Sequence, residues 1–173
     1  MSLSMSKASL PSFETALSAL SAVLDKAENY AGAKKFDSSV LVNARLAPDM
    51  FALARQVQVA CDQAKNGSAR LAGVEPPKFE DNETTIAQLK ERIAKTLAFL
   101  KTLDSKAIDA SADRTITFPL GPKKGEMQGS DYLNHFVLPN FYFHCTAAYA
   151  ILRHNGLDIG KRDFMGNIPL KLS

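Results

Sequence analysis

The chain has 173 residues, 46% of them hydrophobic, with a formal net charge of +3 and a sequence pI near 8.8. That length buries a proper core as one domain, and basic residues that alternate with acidic ones instead of clustering exclude the footprint of a nucleic-acid binder. No apolar run reaches the length of a bilayer span and no charged-then-apolar leader opens the chain, so neither a membrane-spanning helix nor a signal peptide is expected.

Cys61 and Cys145 lie far apart, with no CxxC pair and no zinc-finger spacing, and read as two reduced, mostly buried thiols of a cytosolic protein. Met5 is an alternative start, which would leave Met1–Ser4 non-native.

The first helix is expected to begin near Leu10, with Ser9 as its cap and Pro11 in the first turn, where a missing N–H costs nothing. Phe13, Leu17, Leu20 and Leu24, with Ala16 and Ala27 close by, make one apolar stripe, and Gly32 marks the end. Residues 37–48 form a connection with a short helical turn at Ser38–Val42. Pro48 then opens a second helix, and Asp49 places a negative charge at the positive end of its dipole. Met50, Leu53, Ala54, Val57, Cys61 and Ala64 carry the inner face to about Leu71, and Gly73 with Pro76-Pro77 stops it.

Asn82 or Thr84 is expected to cap the third helix, whose stripe is Ile86, Leu89, Ile93, Leu97 and Leu100. Lys90, Glu91, Arg92 and Lys95 read as its solvated face. Between Asp104 and Ser130 the period changes. Thr115–Phe118 alternates polar and apolar residues, Gly121–Gly125 offers a turn, and Glu126–Gln128 can return as a second strand. Pro119 suits a strand end or an edge. A fourth helix over Gly129–Gly156, capped by Ser130 or begun by Asp131, carries Pro139 inside it. In the tail, Leu157, Ile159, Phe164 and Met165 can pack an ordered extension. Four amphipathic helices and one hairpin predict an all-α four-helix bundle with a small β-hairpin insertion before the last long helix. The domain spans residues 5–166 and a C-terminal tail 167–173.

The fourth helix holds all three histidines, which invites a metal-site reading. At about 100° per residue, His135 and His144 point to opposite sides, while His144 and His154 differ by about 80° and lie roughly 15 Å apart along the axis. Ligands from one helix come at i, i+3 or i+4, and no pair here has that spacing. Taken singly, His154 is placed to meet the terminal carbonyls and the dipole. His135 can bond a carbonyl that Pro139 leaves unpaired. His144 shares a face with Val137, Asn140, Ala148 and Ile151, and reads as a satisfied core residue first and a ligand second.

Tyr132, Phe136, Phe141, Tyr142, Phe143 and Tyr149 surround the helix. A helix apolar on several faces packs in a core or against a second subunit, and a cofactor pocket comes third. There is no GxSxG elbow, P-loop or dinucleotide fingerprint. Gly121-Pro-Lys-Lys-Gly125 is a turn, because no helix with free amides follows it. Gln58 and Asp62 lie four apart and can flank the interior, with Asp62 by default a boundary charge.

NARLAPDMFALARQVQVACDQAKNGSARLAG (43–73) and DYLNHFVLPNFYFHCTAAYAILRHNG (131–156) resemble an uncharacterised bacterial family of the DinB-like superfamily of helical bundles, a likeness running from about Met5 to Gly166. The resemblance implies an up-down-down-up four-helix bundle, often dimeric. Some superfamily members bind a divalent metal through three histidines and act as thiol-dependent transferases or isomerases. That pattern wants one histidine on the second helix and an HxxxH pair on the last. Here the second helix, Asp49–Leu71, has none, His144 matches the second of the pair, and Asn140 stands in the place of the first. Asn140 and Asp62 can serve as oxygen donors, but one imidazole makes a weak site for zinc or nickel.

Three functions are therefore expected in turn. The first is a cytosolic homodimer, non-catalytic or with a degenerate metal site and no cofactor. The second is a divalent-metal-dependent hydrolase or thiol transferase using His144 with Asn140 and Asp62. The third is a binding module for a small apolar ligand or partner helix between the second and fourth helices.

Overall fold

The computed structural model describes residues 4–170; the question of Met1–Leu3 and the last three residues of the expected tail lie outside them. The first helix, α1 (Met5–Lys34), starts five residues ahead of Leu10. The reason is non-local: Asp109, from far along the chain, accepts the free Ser6 N–H at 2.7 Å. Ser9 is therefore not a cap but a mid-helix residue, donating its hydroxyl to Met5 O at 2.8 Å. Pro11 lies inside the helix instead of in its first turn. Gly32 does not end the helix either. Lys35 takes the left-handed conformation (φ 60°), and the amides of Lys35 and Phe36 donate to Gly32 O and Ala31 O.

The short turn α2 (Ser39–Val42) forms as expected. The second long helix, α3 (Leu53–Ala72), begins five residues after Pro48. Pro48 and Asp49 instead sit in turns, closed by Met50 N to Ala47 O and by Arg45 Nη1 to Pro48 O and Met50 O. Gly73 ends α3 with φ 73°. The third long helix, α4 (Ile86–Leu100), is capped by Thr85 and not by Asn82 or Thr84. Thr85 accepts the Gln88 amide, and Gln88 Oε1 accepts the Thr85 amide, a capping box. Its buried stripe is Ile86, Leu89, Ile93 and Leu100.

After α5 (Ser105–Asp109) come β1 (Thr115–Leu120) and β2 (Lys123–Gln128), an antiparallel pair with Ile116 opposite Met127 and Phe118 opposite Gly125. The turn is only Gly121-Pro122, with Gly121 at φ 57°, so the return strand starts at Lys123. The fourth long segment is continuous but not uniformly α-helical. It comprises α6 (Gly129–Asp131), a π-helical turn Tyr132–Val137, and α7 (Leu138–His154). Pro139 thereby falls in the first turn of α7, where its missing N–H costs least. The last short helix is α8 (Lys161–Met165), tied to α1 by Lys26–Asp163 at 2.6 Å. Leu157 and Ile159 are buried, while Met165 of the expected tail contacts is exposed.

The fold is mostly helical with one small two-stranded sheet. α1 packs on α4 and α7, and α3 packs on α4 and α7, around one core that includes Phe13, Leu17, Leu53, Val57, Ile93 and Phe141. The α3 crossing with the π turn is close, since a Cβ on Gly67 would lie 2.6 Å from Val137 Cγ1. The hairpin docks through Phe118, whose ring is 4.7 Å from Tyr132 and 4.5 Å from Phe136. Tyr132 in turn accepts from Arg70 at 3.0 Å.

Candidate functional site

His144 projects from α7 toward α3 and is 8% exposed. Its Nδ1 lies 2.7 Å from Gln56 Oε1, and Gln56 Nε2 donates to Phe51 O at 3.1 Å. That second bond fixes the carboxamide: its oxygen faces the ring, so Nδ1 carries the proton and Nε2 the lone pair. Phe51 stacks against the imidazole at 6.4 Å and Phe143 meets it edge-on at 5.1 Å. Burial, and after it the positive charge of Arg55, holds the imidazole below its ordinary pKa. This is the satisfied core histidine. Its partner, Gln56, was not among the residues singled out in the sequence, although it sits three residues after Leu53 and four before Ala60, beside the apolar stripe of α3.

The other two candidate ligands are engaged elsewhere. Asn140 Nδ2 donates to Phe136 O at 2.7 Å. Asp62 Oδ1 lies 2.9 Å from Arg92 Nη2 and 3.3 Å from Lys65 Nζ. No hydrogen bond or ion pair among the described residues joins any two of His144, Asn140 and Asp62. No group of three or more His, Cys, Asp or Glu side chains there comes together to hold a metal ion.

The remaining histidines differ from expectation. His135 is exposed, with its nearest charge, Asp131, at 4.0 Å; near the proline it is Asn140 that bonds a carbonyl. His154 is exposed in the last turn of α7. Of the carbonyls there, Ile151 O is met by Asn155 Nδ2, while Arg153 Nη1 reaches past the helix to Ile159 O.

The largest departure is Arg92, expected on a solvated face but with its side chain only 1% exposed. Its guanidinium meets Asp62, Asp81 (3.0 Å) and Glu83 (2.9 Å) and donates to Glu80 O. Lys65, also buried, bonds Pro77 O at 2.9 Å and lies over the Phe79 ring at 4.0 Å. Gln58 donates to Glu83, and Arg55 bridges Gln58 and Asp81. Two buried cations thus pin the extended segment 74–84 onto α3 and α4. Burial pulls Arg92 toward losing its proton, but the Glu83 bond and the Asp62 and Glu83 charges outweigh it and raise its pKa. The available signal was position, since Arg92 stands three residues after Leu89 and four before Thr96, both buried. Sequence periodicity could not supply the carboxylates that draw it in, because Asp62, Asp81 and Glu83 all lie outside α4.

Cys61 and Cys145 both lie in the core. Both are free and buried; burial pushes the Cys61 thiol up to about 12 and raises Cys145 as well. No helix among the described residues is long and apolar enough to cross a membrane.

Comparison with known proteins identifies a family and a similar solved structure. The model of a family described as a domain of unknown function (DUF1993) matches residues 5–165. The crystal structure of a DinB family member from Shewanella denitrificans is 42% identical, with a TM-score of 0.91, over 98% of this chain and 96% of that one. No curated protein matches.

Proposed function

This chain belongs to the DUF1993 family, and from that premise we propose a non-catalytic, homodimeric helical-bundle protein of the cytosol whose metal site is degenerate. In this reading residues 5–166 form one domain, an up-down-down-up four-helix bundle. The neighbour pairs α1–α4, α4–α3, α3–α7 and α7–α1 support a closed ring of that kind. Two free, buried thiols support the cytosol.

The observation that carries the proposal is the 2.7 Å contact between Gln56 and His144. The DinB-like resemblance calls for a histidine on the second long helix and an HxxxH pair on the last. On this chain a carboxamide from the second long helix engages the one histidine that remains, and Asn140 stands four residues before it. The donor set does not fit zinc or nickel: one imidazole, a carboxamide bonded to a backbone carbonyl, and a carboxylate neutralised by two cations. The metal-dependent hydrolase or transferase reading needs all three on one ion, and their present partners weigh against it. A ligand module between α3 and α7 is weakened too, because the Gln56–His144–Phe51 contacts fill that region.

Elemental analysis of untagged protein after chelator treatment and dialysis tests the proposal. Less than stoichiometric metal is expected; one tightly held zinc or nickel per chain overturns it.

A further inference from the structure

We propose that the seam between α3 and α4 is a docking surface for an extended acidic peptide of a partner protein, occupied here in cis by the chain's own residues 75–84. Those residues form no helix or strand, none of them is buried, and among the described residues they make no backbone–backbone hydrogen bond. Side chains of the two helices hold them instead. Lys65 and Arg92 donate to the carbonyls of Pro77 and Glu80 at 2.9 and 3.2 Å. Asp81 meets Arg92 at 3.0 Å and also Arg55, while Glu83 meets Arg92 at 2.9 Å and accepts from Gln58 at 2.8 Å. The Phe79 ring lies 4.0 Å from Lys65 Nζ. Backbone carbonyls, alternate side chains and arginine-bound carboxylates are the contacts by which a groove reads an extended acidic peptide.

Three features mark the segment as a ligand. None of its residues belongs to the buried core, so it can leave while the bundle stays folded. It is matched in charge: Arg55, Lys65 and Arg92 face Asp62, an excess of two positive charges that Asp81 and Glu83 cancel. It also fits incompletely. The Arg92 side chain is 1% exposed, yet its Nε–H finds no partner among the described residues. Asp81 and Glu83 both bind the outer nitrogens, whereas a carboxylate taken side-on uses Nε and Nη together. A purely structural cover would hold this seam as well with apolar residues in place of the buried cations.

The chemistry of the partner follows from what the seam now holds. Alternate residues of an extended chain share a face, so the motif is an aromatic followed by acids two and four residues on, as in Phe79, Asp81 and Glu83. A tethered segment competes at an effective concentration on the order of millimolar, which keeps the surface shut to such a partner until the cis contacts loosen. His144 takes no part in this surface, which is the same in a monomer and a dimer.

Fluorescence anisotropy of a labelled synthetic peptide of residues 75–84, titrated with the full chain, tests this. The double variant Asp81→Asn, Glu83→Gln weakens the cis segment and is expected to bind the peptide about tenfold tighter than wild type, or more. A peptide with Asn and Gln at those two positions is expected not to bind. A folded variant that binds no tighter than wild type, or that takes the neutral peptide equally well, overturns the proposal. Inorganic phosphate that displaces the labelled peptide as well as unlabelled peptide does reduces the surface to a general anion site and overturns it too. Far-UV circular dichroism shows whether the variant keeps its helices. Where it does not, ¹⁵N-labelled wild type with millimolar unlabelled peptide decides: the amide signals of Phe79–Glu83 are expected to move toward their free-peptide positions while most of those of α3 and α4 stay dispersed, and no movement overturns the proposal.

Discussion

Gln56 Oε1 and His144 Nδ1 lie 2.7 Å apart across the contact between α3 and α7, and both residues are buried. Each side chain depends on the other, because a buried polar group left unpaired keeps its desolvation cost. Gln56→Leu and His144→Phe should each cost about 1–3 kcal/mol. The double variant should cost less than the sum of the two by about 0.5–1.5 kcal/mol. Denaturant unfolding of the four proteins checks this, and strict additivity would remove the pairing.

The same histidine predicts a pH dependence. Its folded pKa is held below the ordinary 6.5, chiefly by burial, so the unfolded chain binds this proton more readily than the folded one. Stability then rises with pH across that window. The contribution is fully present above 6.5 and is lost as pH falls through the lowered folded value. His144→Gln, which cannot titrate, should show a smaller loss of stability than wild type between about pH 7.5 and 5.5. His135 and His154 are present in both proteins and cancel in the comparison.

Arg92 should matter more than any exposed charge. Its replacement by Met leaves Asp62, Asp81 and Glu83 without the cation they share. Removing one partner from a buried ion cluster costs about 3–5 kcal/mol. The segment 74–84 should loosen before the helices do, so trypsin should cut after Lys78 faster in Arg92→Met than in wild type. Equal cleavage rates at equal stability would show that the clamp does not hold the segment.

Gly67 is fixed by the Val137 side chain, which a Cβ would approach to 2.6 Å. Gly67→Ala should destabilise by about 1–3 kcal/mol through overpacking, despite the helix propensity gained. Adding Val137→Ala should recover part of that loss, as thermal unfolding of the two variants would show. A Gly67→Ala protein as stable as wild type would mean that the α3 crossing yields easily.

The long elements were legible because their signals are local. The stripe Ile86, Leu89, Ile93 and Leu100 and the alternation at Thr115–Phe118 placed α4 and β1 to within a residue or two. What escaped depends on partners distant in the chain. Asp109 extends α1 to Met5, and Arg45 closes a turn where Pro48 alone suggests a helix start. Carboxylates from α3 and the connecting segment draw Arg92 inward. At the candidate site, His144 and its core setting were legible from phase, but Gln56 was not, because periodicity ranks polar residues by face and does not pair them across helices. The π turn left no periodic mark, yet it explains how Pro139 is accommodated.

The claim that Gln56, and not a metal, holds His144 is tested most directly by long-range ¹H–¹⁵N NMR of the His144 ring above neutral pH, before and after one equivalent of Zn²⁺. A neutral imidazole protonated on Nδ1, with neither nitrogen shifted by zinc, is the expected result. Stoichiometric zinc-induced shifts of the His144 nitrogens, abolished by His144→Ala, would contradict it.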